Sequence, residues 1–244
     1  MRGSVDTRRA GPPVPAGVNS PENGEALQLR TTPTRPGTAE LRSTAAVFNG
    51  YANVDSSWLR LLESTRPGLD LARGEHRTAL LRWLNSWGCR IRYPREGEPD
   101  RYDEQLALWW QQHGAALPSG GLAELTDSQI DLLASAFGPL AAIQVSGGKA
   151  VRTLGPTAAA KALYALRPQS VMPWDAAIAQ SLHGTRDAAA FGRHLRLGRA
   201  WAQAVLTEAG TTQEALPELV GRPAVSLAKL LDEYLYLELT VGER

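Results

Sequence analysis

A mainly α-helical fold is what this sequence predicts, as a compact helical domain over residues 41–244 behind a disordered tail over residues 1–40. Three observations carry the prediction. Apolar residues fall at helical spacing from about Ala39 onward, capping signals bracket those runs, and no block of alternating β-branched residues with hairpin turns interrupts them. The extended pieces expected inside the domain are a short one at "CRIRY" and another after the last helix.

The tail is rich in Pro, Gly, Thr and Arg and lacks aliphatic periodicity, so it buries too little surface to offset its ordering entropy. Its Arg2, Arg8, Arg9, Arg30 and Arg35 read as solubilising charges. In the domain, Leu80, Trp83, Leu84 and Trp87 form one stripe that closes at Gly88, a C-terminal cap position. Leu106, Trp109 and Trp110 lie on a second helix ending near Gly114. "TDSQIDLLASAFG" opens with a capping box from Thr126 to Gln129 and is expected to end at Gly138. Tryptophans at this spacing are read as core residues rather than as a base-stacking set.

Gly155 followed by Pro156 is a helix start, because Pro at the first position loses an N–H that would be unpaired anyway. "TAAAKALYAL" then runs to Arg167, and Pro168 ends it. After "PQSVMP", Asp175 stands before "AAIAQSL", where a carboxylate accepts hydrogen bonds from the first free N–H groups of a helix. Residues 185–209 read as a long or broken helix weakened by Gly192 and Gly198. "SLAKLLDEYLYLEL" adds a last helix whose end is expected to run into a short strand.

Composition excludes several functions. The net charge is +1, so the chain is not basic throughout, and its single cysteine, Cys89, excludes a disulfide framework, a four-cysteine zinc site and an iron–sulfur cluster. The histidines (His76, His113, His183, His194) show no metal-ligand spacing, so neither a metal nor any other cofactor is expected. "GPTAAAK" lacks the second glycine and the hydroxyl of a phosphate-binding loop. No membrane span and no signal peptide is expected, and the cytoplasm is the expected compartment. Locally the charge is uneven: residues 151–203 carry Arg152, Lys161, Arg167, Arg186, Arg193, Arg196 and Arg199 against only Asp175 and Asp187. Such an excess fits an electrostatic footprint for phosphates, with DNA as the expected partner, and the free N–H groups at Gly155 and Thr157 add an anion-friendly helix start.

The stretch "VRTLGPTAAAKALYALRPQSVMPWDAAI" resembles the helix-hairpin-helix and following aspartate of the helix-hairpin-helix DNA glycosylase superfamily, over about residues 120–205. Gly155 matches the second glycine of that family's turn, Thr153 stands in place of the first, and Asp175 falls at the position of the essential aspartate. The resemblance implies a helix-hairpin-helix-like element, with Arg152, Thr153, Gly155, Thr157, Lys161, Arg193 and Arg196 as the nucleic-acid interface and Trp174 in the pocket wall. It further implies hydrolysis of an N-glycosidic bond by Asp175. Thr157 occupies the position of the Schiff-base lysine of some members, with Lys161 one turn later, so no lyase activity is implied by that route. The pieces "GPTAAAK", "ALRP", "PWD" and "GRPAVSLAKLLDEY" also resemble an uncharacterised bacterial family, which supplies no function. Three readings stand together: a glycosylase-like enzyme on DNA, a non-catalytic helical DNA-binding module in which Asp175 is only a cap, and a domain whose arginines meet an acidic protein.

Overall fold

A computed structural model describes residues 33–146 and 151–241. The expectation of a disordered tail falls mostly on residues 1–32, outside the described part. The described residues form helices α1 (Thr38–Asn49), α2 (Ala52–Ser64), α3 (Gly74–Ser86), α4 (Arg101–His113), α5 (Asp127–Ala142), α6 (Pro156–Leu166), α7 (Ala176–His183), α8 (Ala188–Ala209), the single turn α9 (Leu216–Leu219) and α10 (Leu227–Tyr236). The fold is therefore mainly α, and its buried side chains join in one apolar core.

Local signals set most of the boundaries. Gly88 adopts a left-handed φ of +80°, its N–H reaches Asn85 O and the Cys89 N–H reaches Leu84 O, so α3 closes in a Schellman motif. Thr126 and Gln129 form the reciprocal capping box that opens α5. Pro156 occupies the first turn of α6, with Gly155 at a φ of +80° before it.

Packing overrides propensity elsewhere. α5 runs through Gly138 and Pro139 to Ala142, because stopping at Gly138 would unseat the fully buried Leu140. The α8 helix is continuous across both of its glycines, which mark close approaches: a Cβ on Gly198 would stand 2.9 Å from Met172 Cε. α1 begins at Thr38, earlier than the expected boundary at residue 41, since Glu208 accepts the Thr38 N–H and Glu40 accepts that of Gly37. The strand expected at "CRIRY" does not form, and the chain after α10 makes a π-helical turn, Leu237–Val241, instead of a strand. The β-pairing among the described residues is a single antiparallel bridge between Gln144 and Thr153 in the arm that joins α5 to α6.

α8 is the element around which the rest assembles, touching α1, α5, α7 and α10. α5 lies between α8 and α6, while α10 packs on α1 and α8. α10 is buried from Leu227 to Leu235, including Lys229, Asp232 and Glu233. Those charges are accommodated by pairing: Arg222, itself buried, donates to both carboxylate oxygens of Glu233 and forms a two-bonded pair with Asp55. No described helix is long and apolar enough to cross a membrane.

Candidate functional site

Asp175 caps α7: its Oδ1 accepts the Ile178 N–H at 2.8 Å. Its other oxygen has no hydrogen-bond partner among the described residues, and the side chain is half-buried. The backbone ahead of it is clamped, because Val171, Met172, Pro173 and Trp174 are all buried. Trp174 packs edge-on against Phe137 and Phe191 and donates its indole N–H to Pro156 O at 3.4 Å, which ties Asp175 to the start of α6.

Behind Pro173 lies a histidine relay. His194 Nε2 is 3.2 Å from Pro173 O, and His194 Nδ1 is 3.2 Å from His183 Nε2. A carbonyl only accepts, so His194 carries its proton on Nε2 and its bare Nδ1 accepts from His183. Burial pushes both rings below the ordinary histidine value, His194 to about 3 and His183 to about 4, with the Arg193 charge adding to the shift of His183. The relay is neutral at physiological pH and fixes the peptide two residues ahead of Asp175.

Asp175 lines a cleft of about 280 Å³ together with Phe48, Trp87, Trp174 and Tyr236, and with Lys161, Lys229 and Asp232. That volume is at the low end of small-molecule sites, which run from roughly 300 Å³ upward, and it suits one ring system. Lys161 Nζ donates to Trp87 O at 2.8 Å. Lys229 Nζ lies 2.6 Å from Asp232 Oδ2 and 4.8 Å from the centre of the Trp87 ring. Burial opposes the Lys229 charge, but Asp232 and Glu233 outweigh it and hold the ammonium above its ordinary value. Burial raises the Asp232 carboxyl, with Lys229 only partly offsetting it.

The cleft gathers three of the residues singled out from sequence, Asp175, Trp174 and Lys161, and it leaves others elsewhere. Trp174 is a wall residue with its ring in the core. Gly155 and Thr157 lie at the start of α6, one hydrogen bond from Trp174 through Pro156, but the Gly155 N–H expected to be free for an anion is taken up by Ala141 O at 2.9 Å. Arg152 and Thr153 are exposed on the α5–α6 arm, and Arg193 is exposed on α8. Arg196 faces α5: it pairs with Asp127 at 3.1 Å and Asp131 at 2.8 Å, and Arg199 also pairs with Asp127. Arg167 is spent on the carbonyls of Leu117, Leu166 and Gly114. The apparent basic face is thus partly neutralised by acids distant in sequence.

Phe48, Lys229, Asp232 and Tyr236 were not singled out from sequence, and Trp87 was placed in the core. The sequence carried no signal for the α10 pair: in "SLAKLLDEYLYLEL" Lys229, Asp232 and Glu233 share one helical face, the pattern of an ordinary solvated face, and it is packing that buries them. The fragments "GPTAAAK", "PWD" and "AKLLDEY", which lie far apart in the chain, meet at this cleft through Lys161, Asp175, Lys229 and Asp232. No group of His, Cys, Asp and Glu able to hold a metal ion occurs among the described residues. No protein-family model, curated protein or solved structure matches this chain.

Proposed function

We propose that the cleft beside Asp175 accepts a base turned out of a nucleic-acid strand and that the chain hydrolyses the N-glycosidic bond of that base. The observation that carries this reading is the Asp175 carboxylate, with one oxygen anchored at a helix start and the other unengaged, in the wall of an aromatic-lined cleft. A bare cap on an exposed helix has no such cleft.

The chemistry follows from the charges that develop. As the bond from C1′ to the base breaks, its electron pair leaves with the base, which takes up a proton from solvent water, and positive charge grows on the sugar. An ionised carboxylate fixed by the Ile178 N–H stabilises that cation more than it stabilises the neutral ground state. Water then adds its oxygen to C1′ and gives up a proton, for which the free Asp175 oxygen is the acceptor. Lys161 and Lys229 place positive charge on the same cleft, where negative charge grows on the departing base. Unstacking is cheapest at a damaged or mismatched position, which makes such sites the expected substrates.

One observation favours a second reading. The pairing of Arg196 and Arg199 with Asp127 and Asp131 shrinks the phosphate footprint on α8, and the same bond cleavage on a free nucleoside needs no such footprint. The test is release of free base, measured by chromatography, from oligonucleotides carrying a panel of damaged or modified bases and from the matching nucleosides. Release from oligonucleotides by wild type and not by Asp175→Asn is the expected result. Release from nucleosides alone selects the second reading, and equal release by both proteins removes the carboxylate from the chemistry.

A further inference from the structure

A second cavity is lined in part by the turn that closes α3. Trp87 lines the Asp175 cleft, and two residues later Cys89 lines a separate cavity of about 340 Å³. Three arginines from two distant segments line it: Arg90 and Arg92 from the chain leaving α3, and Arg152 from the α5–α6 arm. All three residues are exposed. Arg92 is paired with Glu98 at 2.5 Å, whereas neither Arg90 nor Arg152 has an ion-pair partner among the described residues.

Two features single this cluster out from ordinary surface charge. Like charges around one concavity repel, and folding brings these together from segments some sixty positions apart with a single carboxylate beside them. Arg90 also holds a left-handed backbone conformation, with a φ of +53°, and it is the one described residue other than glycine that does. Backbone conformations that L residues rarely adopt cluster at ligand-binding sites. Guanidinium groups match phosphate oxygens two bonds at a time, so an anionic phosphate ester suits a concavity lined by arginines.

We infer that Arg90, Arg92 and Arg152 form a phosphodiester-binding site, which grips the strand next to the nucleotide whose base enters the Asp175 cleft. This rests on the nucleic-acid reading above and moves the footprint from α8 to the α3 turn and the α5–α6 arm. Trp87 of one cavity and Cys89 of the other are two residues apart on the turn that closes α3, which is the basis for assigning both cavities to one strand.

The test is fluorescence anisotropy of a labelled duplex oligonucleotide across a series of salt concentrations. It compares wild type with Arg90→Gln/Arg152→Gln and with Arg196→Gln/Arg199→Gln, each checked for an unchanged circular dichroism spectrum. Each lost phosphate contact lowers the slope of log K against log salt by about 0.9, so the first variant is expected to lose about 2 from the slope and the second to match wild type. A slope lowered by the α8 pair and untouched by Arg90→Gln/Arg152→Gln overturns this site and leaves nucleic-acid binding standing. Absence of oligonucleotide binding by wild type at low salt overturns both.

Discussion

Asp175 and Asp187 open consecutive helices in the same manner. Each offers one carboxylate oxygen to the N–H three residues on, at 2.8 Å in both cases. Their surroundings differ in every other respect. Asp187 is exposed and follows the exposed stretch Gly184–Arg186, and its hydrogen bond from Ala190 holds its carboxyl below the usual carboxylate range. Asp175 follows four buried residues, is braced from behind by Trp174 and the histidine relay, and faces a cleft. The pair teaches that capping geometry carries no information about chemistry; what distinguishes the two carboxylates is the rigidity behind them and the space in front.

That comparison is open to direct attack. The largest effect is expected for charge removal: Asp175→Asn keeps the cap, since asparagine caps nearly as well, yet should slow base release by about 10²–10³-fold. Asp187→Asn should leave the rate unchanged, and a rate loss common to both would reduce Asp175 to a cap.

Next comes the brace. His194 has its value depressed to about 3 in the folded chain from about 6.5 when unfolded, so folding favours the neutral ring. Its stabilising contribution is complete above about pH 6.5 and declines as pH falls toward about 3, where the folded protein also takes up the proton. A His194→Gln variant should be less stable than wild type at pH 7 and lose less melting temperature between pH 6.5 and 4. Parallel curves for the two proteins would show that the relay does not carry this linkage.

A steric probe of the same brace is Gly198→Ala. The new methyl group meets the end of the buried Met172 side chain, in the stretch ahead of Asp175, and the overpacking, about 1–3 kcal/mol, is offset by about 1 kcal/mol of helix propensity, so the net cost by denaturant titration should be at most about 2 kcal/mol. The activity of that variant should fall with the displacement of Asp175. The smallest effect is loss of the cap itself, with Asp175→Ala costing about 1 kcal/mol. Asp187→Ala should lower the melting temperature without any change in base release.

Much of the helical framework was legible because its signals are local. The Gly88 closure, the Thr126–Gln129 box, the Gly155–Pro156 start and the Asp175 cap each depend on residues within a turn of one another. The misread boundaries are those where distant packing decides, such as α5 carrying Leu140 into the core past Gly138. The site divides along the same line. Asp175 stood out by its spacing from Gly155, and Trp174 and Lys161 through the resemblance around it, but a lysine three residues before an aspartate looks the same on a solvated helix as it does on α10. Charge counting along the chain also had no access to Asp127 and Asp131, which belong to a different helix from the arginines they neutralise.

The cleft also imposes an order of assembly. Phe48 belongs to the first helix, Lys161 and Asp175 to the middle of the chain, and Lys229, Asp232 and Tyr236 to the last helix and the residues it ends on. No contiguous portion of the chain contains the cleft, so it comes into existence only when α10 docks onto α1 and α8. Until that moment Phe48 and Trp87 lack the cover that α10 provides, and the α10 charges lack Arg222's docking with Asp55. Long-range closure of this kind is slow relative to local helix formation. α10 therefore completes the core and the cleft in one step, since the helix whose apolar side seals the core also carries Lys229 and Asp232.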